Sequence, residues 1–302
     1  MRLAHRREGG TLRLIAEGPA GWVDIAGATG DAGPRTLTAL LANAASLARI
    51  EAALATAEPV EVSELGPPLD SPNRIFCVGR NYAEHRDELK SEVSAWPEVF
   101  LRFGTSITGP YDDVPRPSVS DSVDYEGELA VVIGRPGRHI PADAALGHVF
   151  GYTVANDVSV RDWQRRGGQW TSGKNFDRTL PIGPVIVTAD ELDPTDLALE
   201  TRLNGETVQS ARTSQMIFDL ASQIEFISSW TELLPGDLII SGTPGGVGVA
   251  RTPPLLLVDG DVVEVEIEGI GTIRNRIADD ALAPATARWR DLAKQPGDVQ
   301  RR

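Results

Sequence analysis

Carboxylate side chains recur at every second residue in the segment VDYEGELAVVIG, residues 123–134. In a β-strand, Asp124, Glu126 and Glu128 would line one face, because successive side chains point to opposite faces. Neighbouring carboxylates repel one another unless water screens them or a cation lies among them. The spacing therefore fits a Mg²⁺ site formed by Glu126 and Glu128, and it also fits an exposed acidic strand face.

A further acidic residue, Asp157, ends the predicted strand GYTVAND and precedes a predicted helix, VSVRDWQRR. Asp157 can be both the N-cap of that helix and a third oxygen ligand. Arg161 and Gln164 would then share a helical face with Asp157, so that Arg161 can bind a substrate carboxylate and Gln164 an oxo group. The alternative is a surface helix on which Arg161 simply pairs with Asp157.

Four other side chains have types suited to catalysis or binding. Lys174, in the loop QWTSGKNFD, can be an electrostatic clamp or proton donor if it is buried, and an ordinary solvated lysine if it is not. His85 and Glu88 lie three residues apart on a predicted helix, where the carboxylate can hold the imidazole as a base; a surface pair would look identical. Thr243, in SGTPGGVG, offers a hydroxyl to an anionic ligand or merely belongs to a tight turn.

Other catalytic chemistries find little support in the sequence. There is no Gly-x-Ser-x-Gly motif, and the single cysteine, Cys77, lies in the apolar run IFCV. Paired cysteine and histidine spacings typical of zinc sites are also missing. The sequence therefore favours an oxygen-ligated metal acting with one histidine.

The composition is that of an acidic globular protein. The 302 residues carry a formal net charge of −14, which argues against binding to nucleic acid or to an anionic membrane. No apolar run approaches the roughly 18 to 20 residues that span a bilayer, and the N-terminal residues lack the apolar core of a secretory signal. A single cysteine fits a reducing compartment, and we predict a cytoplasmic location.

The order of elements predicts an α+β protein dominated by strands. Residues 1–25 alternate in polarity like small antiparallel strands, and residues 35–57 have the spacing of one helix. A cluster of helix-breaking residues at 66–72 marks a domain boundary. We therefore predict a small N-terminal α/β domain over residues 1–70, a catalytic domain over 71–278 and a C-terminal tail over 279–302.

The second half of the sequence alternates strand and turn patterns with one amphipathic helix, Ser214 to Leu233. Regular βαβ alternation is missing, which favours a mixed β-roll or barrel over a doubly wound parallel sheet.

Read together, the motifs of residues 73–277 closely resemble the fumarylacetoacetate hydrolase family. The blocks that carry the resemblance occur in the family's order: VGRNYAEHRDE, PEVFLRFGTSITGP, VDYEGELAVVIG, GYTVANDVSVRDWQ, SGKNFD, PIGP, LNGE, LLPGDLIISGTPGGVG and VEIEGIGTIRN. The resemblance implies a mixed β-roll, a homodimer, and Mg²⁺, Mn²⁺ or Ca²⁺ as cofactor. It assigns the metal to Glu126, Glu128 and Asp157, the water-activating pair of a lid to His85 and Glu88, and substrate binding to Arg161, Gln164, Lys174 and Thr243.

From the resemblance we expect metal-dependent hydrolysis of a C–C bond in an acylpyruvate-like or fumarylpyruvate-like 1,3-diketo acid, as formed in aromatic catabolism. His85 with Glu88 would deprotonate water, and Lys174 would help to stabilise negative charge. Alternatives are an isomerase or decarboxylase of 2-oxo or 2-hydroxy-dienoic diacids, or a hydrolase or dehydratase of deoxy-keto sugar acids. A catalytically silent metal-binding or ligand-binding module is a third possibility.

Overall fold

The computed structural model describes residues 1–30, 33–42, 46–88 and 94–281, apart from the side chains of residues 46, 48, 86 and 87. The tail predicted over residues 279–302 lies outside these residues from 282 onward.

Strands account for more of the described residues than helices do, as the sequence predicts. In chain order the strands are β1 (Arg2–Glu8), β2 (Thr11–Gly18), β3 (Gly21–Asp24), β4 (Leu65–Gly66), β5 (Ile75–Gly79), β6 (Glu98–Arg102), β7 (Ile107–Thr108), β8 (Val114–Arg116), β9 (Val123–Asp124), β10 (Gly127–Ile133), β11 (Val149–Asn156), β12 (Ser159–Val160), β13 (Leu180–Thr188), β14 (Ala198–Leu203), β15 (Glu206–Arg212), β16 (Leu238–Ile240), β17 (Val262–Ile267) and β18 (Gly271–Asp279). The helices are α1 (Ile25–Thr29), α2 (Leu37–Leu41), α3 (Ser46–Leu54), α4 (Ala83–Glu88), α5 (Ala142–Ala145), α6 (Arg161–Gln164), α7 (Thr171–Lys174) and α8 (Leu220–Trp230).

Two mixed sheets make up the body of the molecule. The larger has the order β3-β2-β1-β13-β11-β10-β16-β5-β6, and the smaller has the order β15-β14-β17-β18-β8. Strands β10 and β11 contact β14 and β17, so the sheets pack face to face around a shared apolar core. The α+β class of the predicted β-roll is confirmed, with open sheets rather than a closed barrel.

The N-terminal strands extend the large sheet, because β1 pairs with β13. The antiparallel strands predicted for residues 1–25 are confirmed as β1, β2 and β3. The single helix predicted over residues 35–57 is wrong, because α2 ends at Leu41 and α3 begins at Ser46. The predicted domain boundary near residue 70 stays a prediction.

Strand β10 is buried on both faces. Leu129, Val131 and Ile133 join the core between the sheets, whereas Ala130 and Val132 join a second core on the other side of the large sheet. The continuous strand that we predicted from Val123 is interrupted between β9 and β10. The acidic residues are therefore interior groups, and the exposed acidic face is excluded.

Turn and helix signals in the second half are largely confirmed. Asn204 and Gly205, with φ of 52° and 85°, form the predicted turn between β14 and β15. Helix α8 is shorter than predicted, because Asp219 caps it by accepting a hydrogen bond from the Ser222 amide. A 3₁₀ turn, Thr213–Gln215, replaces the predicted first turn. None of the described helices is long and apolar enough to cross a membrane.

Candidate metal centre and active site

The three predicted metal ligands lie together in the interior. One carboxylate oxygen from each of Glu126, Glu128 and Asp157 falls within a group whose members are all within 4.8 Å of one another. Strand pairing brings them together, because Gly127 of β10 lies opposite Asn156 of β11 and the Asp157 amide donates to the Glu126 carbonyl at 2.8 Å. Glu128 thus lies within β10, whereas Glu126 directly precedes β10 and Asp157 directly follows β11.

Basic side chains surround these carboxylates. Lys174 Nζ lies 2.6 Å from Glu126 Oε2 and 2.6 Å from Asp157 Oδ2. Arg161 Nη1 lies 2.6 Å from Glu126 Oε1. Arg102 donates to Asp157 Oδ1 and also to Thr179 Oγ1. Each of these ion pairs joins two different segments of the chain, so the site also stabilises the fold.

The carboxylates differ in how well they are compensated. Burial alone would raise the pKa of Glu126, but Arg161, Lys174 and His85 outweigh burial and lower it to about 2. Burial, together with repulsion from Asp157 and Glu126, raises the pKa of Glu128 well above its ordinary value. Glu128 is therefore the carboxylate for which the surrounding protein supplies least positive charge.

This donor set suits a hard divalent cation. All donors are carboxylate oxygens, which Mg²⁺, Mn²⁺ and Ca²⁺ prefer over nitrogen or sulfur. The uncompensated charge at Glu128 is what a cation would neutralise. The backbone also orients Glu128, because the Gly242 amide donates a hydrogen bond to its Oε2 at 2.5 Å. A side chain at Gly242 would collide with Asn81 at 2.5 Å, so the approach requires glycine.

Lys174 and Arg161 remain charged in the interior. Burial alone would lower the pKa of Lys174, but the carboxylates of Asp157 and Glu126 raise it. Burial acts in the same direction on Arg161, where Glu126 and Asp124 raise the pKa instead. Lys174 is thus suited to be an electrostatic clamp, and less suited to give up a proton.

The candidate base lies on α4. Nδ1 of His85 is 2.9 Å from Glu88 Oε1, and the imidazole is 3% exposed. Glu88 Oε2 accepts a hydrogen bond from the Gly246 amide at 2.9 Å, which anchors the pair to the loop after β16. Because Glu88 engages Nδ1, Nε2 is the nitrogen that can exchange a proton with a bound molecule.

One cavity of about 350 Å³ is lined by all the predicted site residues except Glu88. Gln164 accepts a hydrogen bond from Arg161 Nη1 at 3.2 Å, as expected for one helical face. The Thr243 hydroxyl donates to the Gly127 carbonyl and accepts from Gln209, so its hydrogen is already used within the protein. Substrate binding by Thr243 stays a prediction.

One local prediction is wrong, and one alternative is excluded. Asp157 does not cap the following helix, because β12 intervenes and Val160 is the N-cap of α6. Nor does Arg161 pair with Asp157. Arg161 pairs with Asp124 and Glu126 instead. Asp124 lies on β9 and Glu126 follows it, so both partners are distant from Arg161 in the sequence.

Sequence reasoning missed two buried charges at this site. Asp124 was grouped with the acidic strand face, but it binds the Arg161 side chain and the amides of Gly248 and Val249. Arg102 was not predicted as a site residue, although it is 3% exposed and pairs with Asp157. The sequence does contain a signal for Arg102, because this arginine ends the largely apolar strand EVFLR. A buried arginine needs an acidic partner.

Comparison with known proteins assigns the fold to a class of enzymes. Residues 74–278 match the family described as fumarylacetoacetate (FAA) hydrolase C-terminal. The chain is 47% identical over 252 residues to the human oxaloacetate tautomerase FAHD2A, mitochondrial, covering 81% of this chain and 80% of the relative. This protein therefore belongs to the fumarylacetoacetate hydrolase family.

Solved structures agree with this assignment. The fumarylacetoacetate hydrolase of Exiguobacterium antarcticum superposes with a TM-score of 0.81 at 35% identity, covering 93% of this chain and 100% of that one. The fumarylpyruvate hydrolase of Pseudomonas aeruginosa, solved with Mn²⁺ and pyruvate, has a TM-score of 0.64 at 31% identity, covering 72% and 93%. A divalent metal is thus bound by a member of the family, and the described residues of this chain include a group of three carboxylates that could hold a metal ion.

The predicted cytoplasmic location is wrong in light of these relatives, since the human relative is named as a mitochondrial protein. The reason lies in the signals used. An acidic composition, one cysteine and no long apolar run describe any protein of a reducing aqueous compartment, and they do not distinguish one such compartment from another.

Proposed function

We propose that this protein is a metal-dependent tautomerase of 2-oxo dicarboxylic acids, interconverting the keto and enol forms of oxaloacetate. The observation that carries the proposal is the unused donor of Arg161. Its Nη2 is buried and has no hydrogen-bond partner among the described residues, and Arg161 lines the same cavity as the carboxylate group. A buried unpaired donor is costly, and a substrate carboxylate would satisfy it.

The name of the 47% identical human relative supports this choice of reaction over our first expectation, C–C bond hydrolysis. Tautomerisation also needs fewer catalytic groups than C–C bond hydrolysis does. One base and a site that tolerates negative charge on the oxo oxygen are sufficient.

Glu126, Glu128 and Asp157 would hold the metal. When bound, a divalent cation supplies Lewis acidity that polarises the 2-oxo group. We propose Mg²⁺ or Mn²⁺, whose oxygen preference matches these ligands.

The protein's own groups account for the proton movements. His85 Nε2 would take a proton from C3, and the C–H electron pair becomes the C2–C3 double bond of the enol. The C2 oxygen receives the carbonyl electron pair and takes a proton from solvent, and His85 then releases the C3 proton to solvent, so the reaction is a balanced isomerisation. Glu88 holds the imidazole through Nδ1 and stabilises its protonated form. Lys174, which remains an ammonium, and Arg161 stabilise charge at the substrate's oxygens.

Hydrolysis of an acylpyruvate is the second candidate, favoured by the same His85–Glu88 pair, since a buried base can also activate water. The predicted homodimer, the small-molecule oxo-acid substrate and the exclusion of nucleic acids and membranes stay part of the proposal. A silent binding module is less well supported, because a base held at 2.9 Å by its carboxylate contributes nothing to metal binding.

The test is the ultraviolet decay of enol oxaloacetate added to protein with Mg²⁺ or Mn²⁺, compared with the metal alone. Proton NMR in D₂O identifies the product and follows exchange at C3, and a panel of acylpyruvates is assayed in parallel. We expect faster ketonisation and C3 exchange without loss of CO₂. Cleavage of an acylpyruvate with no acceleration of ketonisation would replace the tautomerase with the hydrolase.

A further inference from the structure

We propose that Arg80 is a specificity-determining residue that binds the second carboxylate of a 2-oxo diacid. This inference rests on the proposed function, and it assigns the substrate class that the cavity selects. Arg80 follows β5 directly and lines the cavity that contains the carboxylate group.

The backbone and a ring hold Arg80 in place. Its φ is 55°, a left-handed conformation that is uncommon for a residue with a long side chain. Strained backbone of this kind is concentrated at functional sites. The guanidinium lies over the ring of Trp170, 5.1 Å from its centroid, which fixes the position of the charge.

Trp170 forms a rigid wall of the cavity. Its ring packs edge-on against Phe100, with centroids 5.2 Å apart, and lies so close to Gly79 that a Cβ there would collide with it. The Trp170 carbonyl accepts the Lys174 amide hydrogen at 3.2 Å. The side chain of Trp170 thus supports Arg80, and the backbone of Trp170 supports Lys174, which lies beside the carboxylate group.

The charges of the buried site indicate what Arg80 is for. Four buried carboxylates face three buried cations: Asp124, Glu126, Glu128 and Asp157 against Arg102, Arg161 and Lys174. A divalent cation would leave one net positive charge, which a single substrate carboxylate neutralises. A second carboxylate therefore needs a further cation, and Arg80 is the one held at the cavity wall.

The guanidinium is available for such a ligand. Its ion pair with Glu98 is long, at 3.5 Å, and both side chains are about a third exposed, at 32% and 31%. Ion pairs of this kind contribute little, so an incoming carboxylate can compete for Arg80. Arg165 lines the same cavity but is exposed, and among the described residues no aromatic ring is placed against it as Trp170 is against Arg80.

The experiment compares two ligands that differ only by the second carboxylate. Malate and lactate are both 2-hydroxy acids that do not tautomerise, and calorimetry with Mn²⁺-loaded protein measures their affinities. The variants are Arg80→Gln and Arg80→Lys. Both keep a Cβ at the positive φ, so they carry the same backbone strain as the native residue. Arg13→Gln is the control, because Arg13 is equally exposed, at 32%, and does not line the cavity.

We expect wild type and Arg13→Gln to prefer malate. Arg80→Gln should weaken malate binding about 10- to 100-fold, the range for losing a hydrogen bond to a charged group, and leave lactate unchanged. Arg80→Lys should retain part of the preference. Equal losses for both ligands, or no loss for either, would overturn the proposal.

Turnover separates this inference from the proposed function. If wild type fails to ketonise oxaloacetate but its preference for malate still depends on Arg80, the tautomerase is wrong and the carboxylate site stands. If oxaloacetate is ketonised and Arg80→Gln slows oxaloacetate no more than it slows C3 exchange of pyruvate, the carboxylate site is wrong and the tautomerase stands.

Discussion

Arg161 Nε donates to Asp124 Oδ2 at 2.9 Å, with both side chains removed from solvent. The same carboxylate accepts the amides of Gly248 and Val249 at 2.8 and 3.0 Å. Asp124 thus joins the arginine to the loop after β16 and directs the remaining guanidinium nitrogens toward Glu126 and the cavity. Asp124 therefore acts by positioning Arg161, and it does not belong to the group of three metal donors.

We predict that Asp124→Asn lowers both stability and activity. The amide cannot replace all four accepted hydrogen bonds, and Arg161 loses a buried partner. Breaking a buried ion pair costs about 3–5 kcal/mol. Urea unfolding measures that loss, and kcat/KM for oxaloacetate should fall at least about tenfold because the arginine is no longer fixed. Asp121→Asn, at a fully exposed carboxylate, is the control and should lie within about 0.5 kcal/mol of wild type.

His85→Ala should reduce ketonisation by about 10² to 10⁴, the usual contribution of a positioned general base. Metal affinity should be nearly unchanged, because the metal donors are carboxylates. Enol decay measures the rate, and calorimetry measures the metal. His139→Asn, at an exposed histidine whose φ of 54° asparagine tolerates, provides a control that should retain full activity. Full activity in His85→Ala would show that the base lies elsewhere.

Metal should stabilise wild type and have little effect on Glu128→Gln. Without metal, the glutamine removes the repulsion from Glu126 and Asp157, so the variant should be at least as stable as metal-free wild type. Adding Mn²⁺ at about 100 times its Kd should stabilise wild type by about 2.7 kcal/mol. Thermal unfolding with and without a chelator checks this, and equal stabilisation of both proteins would contradict the assignment of Glu128 as a ligand.

His5, which lies on β1 and does not line the cavity, should make the stability of the protein depend on pH. The buried imidazole lies 2.8 Å from the Pro67 carbonyl through Nδ1 and accepts the Leu37 amide through Nε2, an arrangement that requires a neutral ring. Burial lowers the pKa of His5 below its ordinary value of 6.5. The unfolded chain therefore binds the proton first, so the contribution is present above pH 6.5 and is lost as pH falls toward the folded pKa.

The slope from this one group is at most about 1.4 kcal/mol per pH unit. His5→Gln should be less stable at pH 7 through its altered hydrogen bonds, and should lose less additional stability on acidification than wild type does. Urea unfolding at pH 7, 6 and 5 measures the difference. Parallel pH profiles for the two proteins would exclude His5 as the source.

Local sequence patterns were informative where one element defines the feature. Period-two alternation in β10 assigned its inward residues, and Asn204-Gly205 identified a hairpin turn. The paired glutamates were recognisable as a candidate cation site, since side chains two apart on a strand point the same way. The prediction of one long helix over residues 35–57 was wrong, because the spacing of alanine and leucine does not show where tertiary packing ends a helix.

The sequence by itself determined the strand-rich α+β class and supplied the candidate residues for the metal and the base. Only the tertiary structure decided which charges face one another. Arg161 could have paired with Asp157, four residues away, but lies against Asp124 and Glu126, and Arg102 reaches Asp157 from a different strand. The physical reason is that buried charges interact strongly over a few ångströms wherever strand pairing brings them together, and that distance is not encoded in separation along the chain.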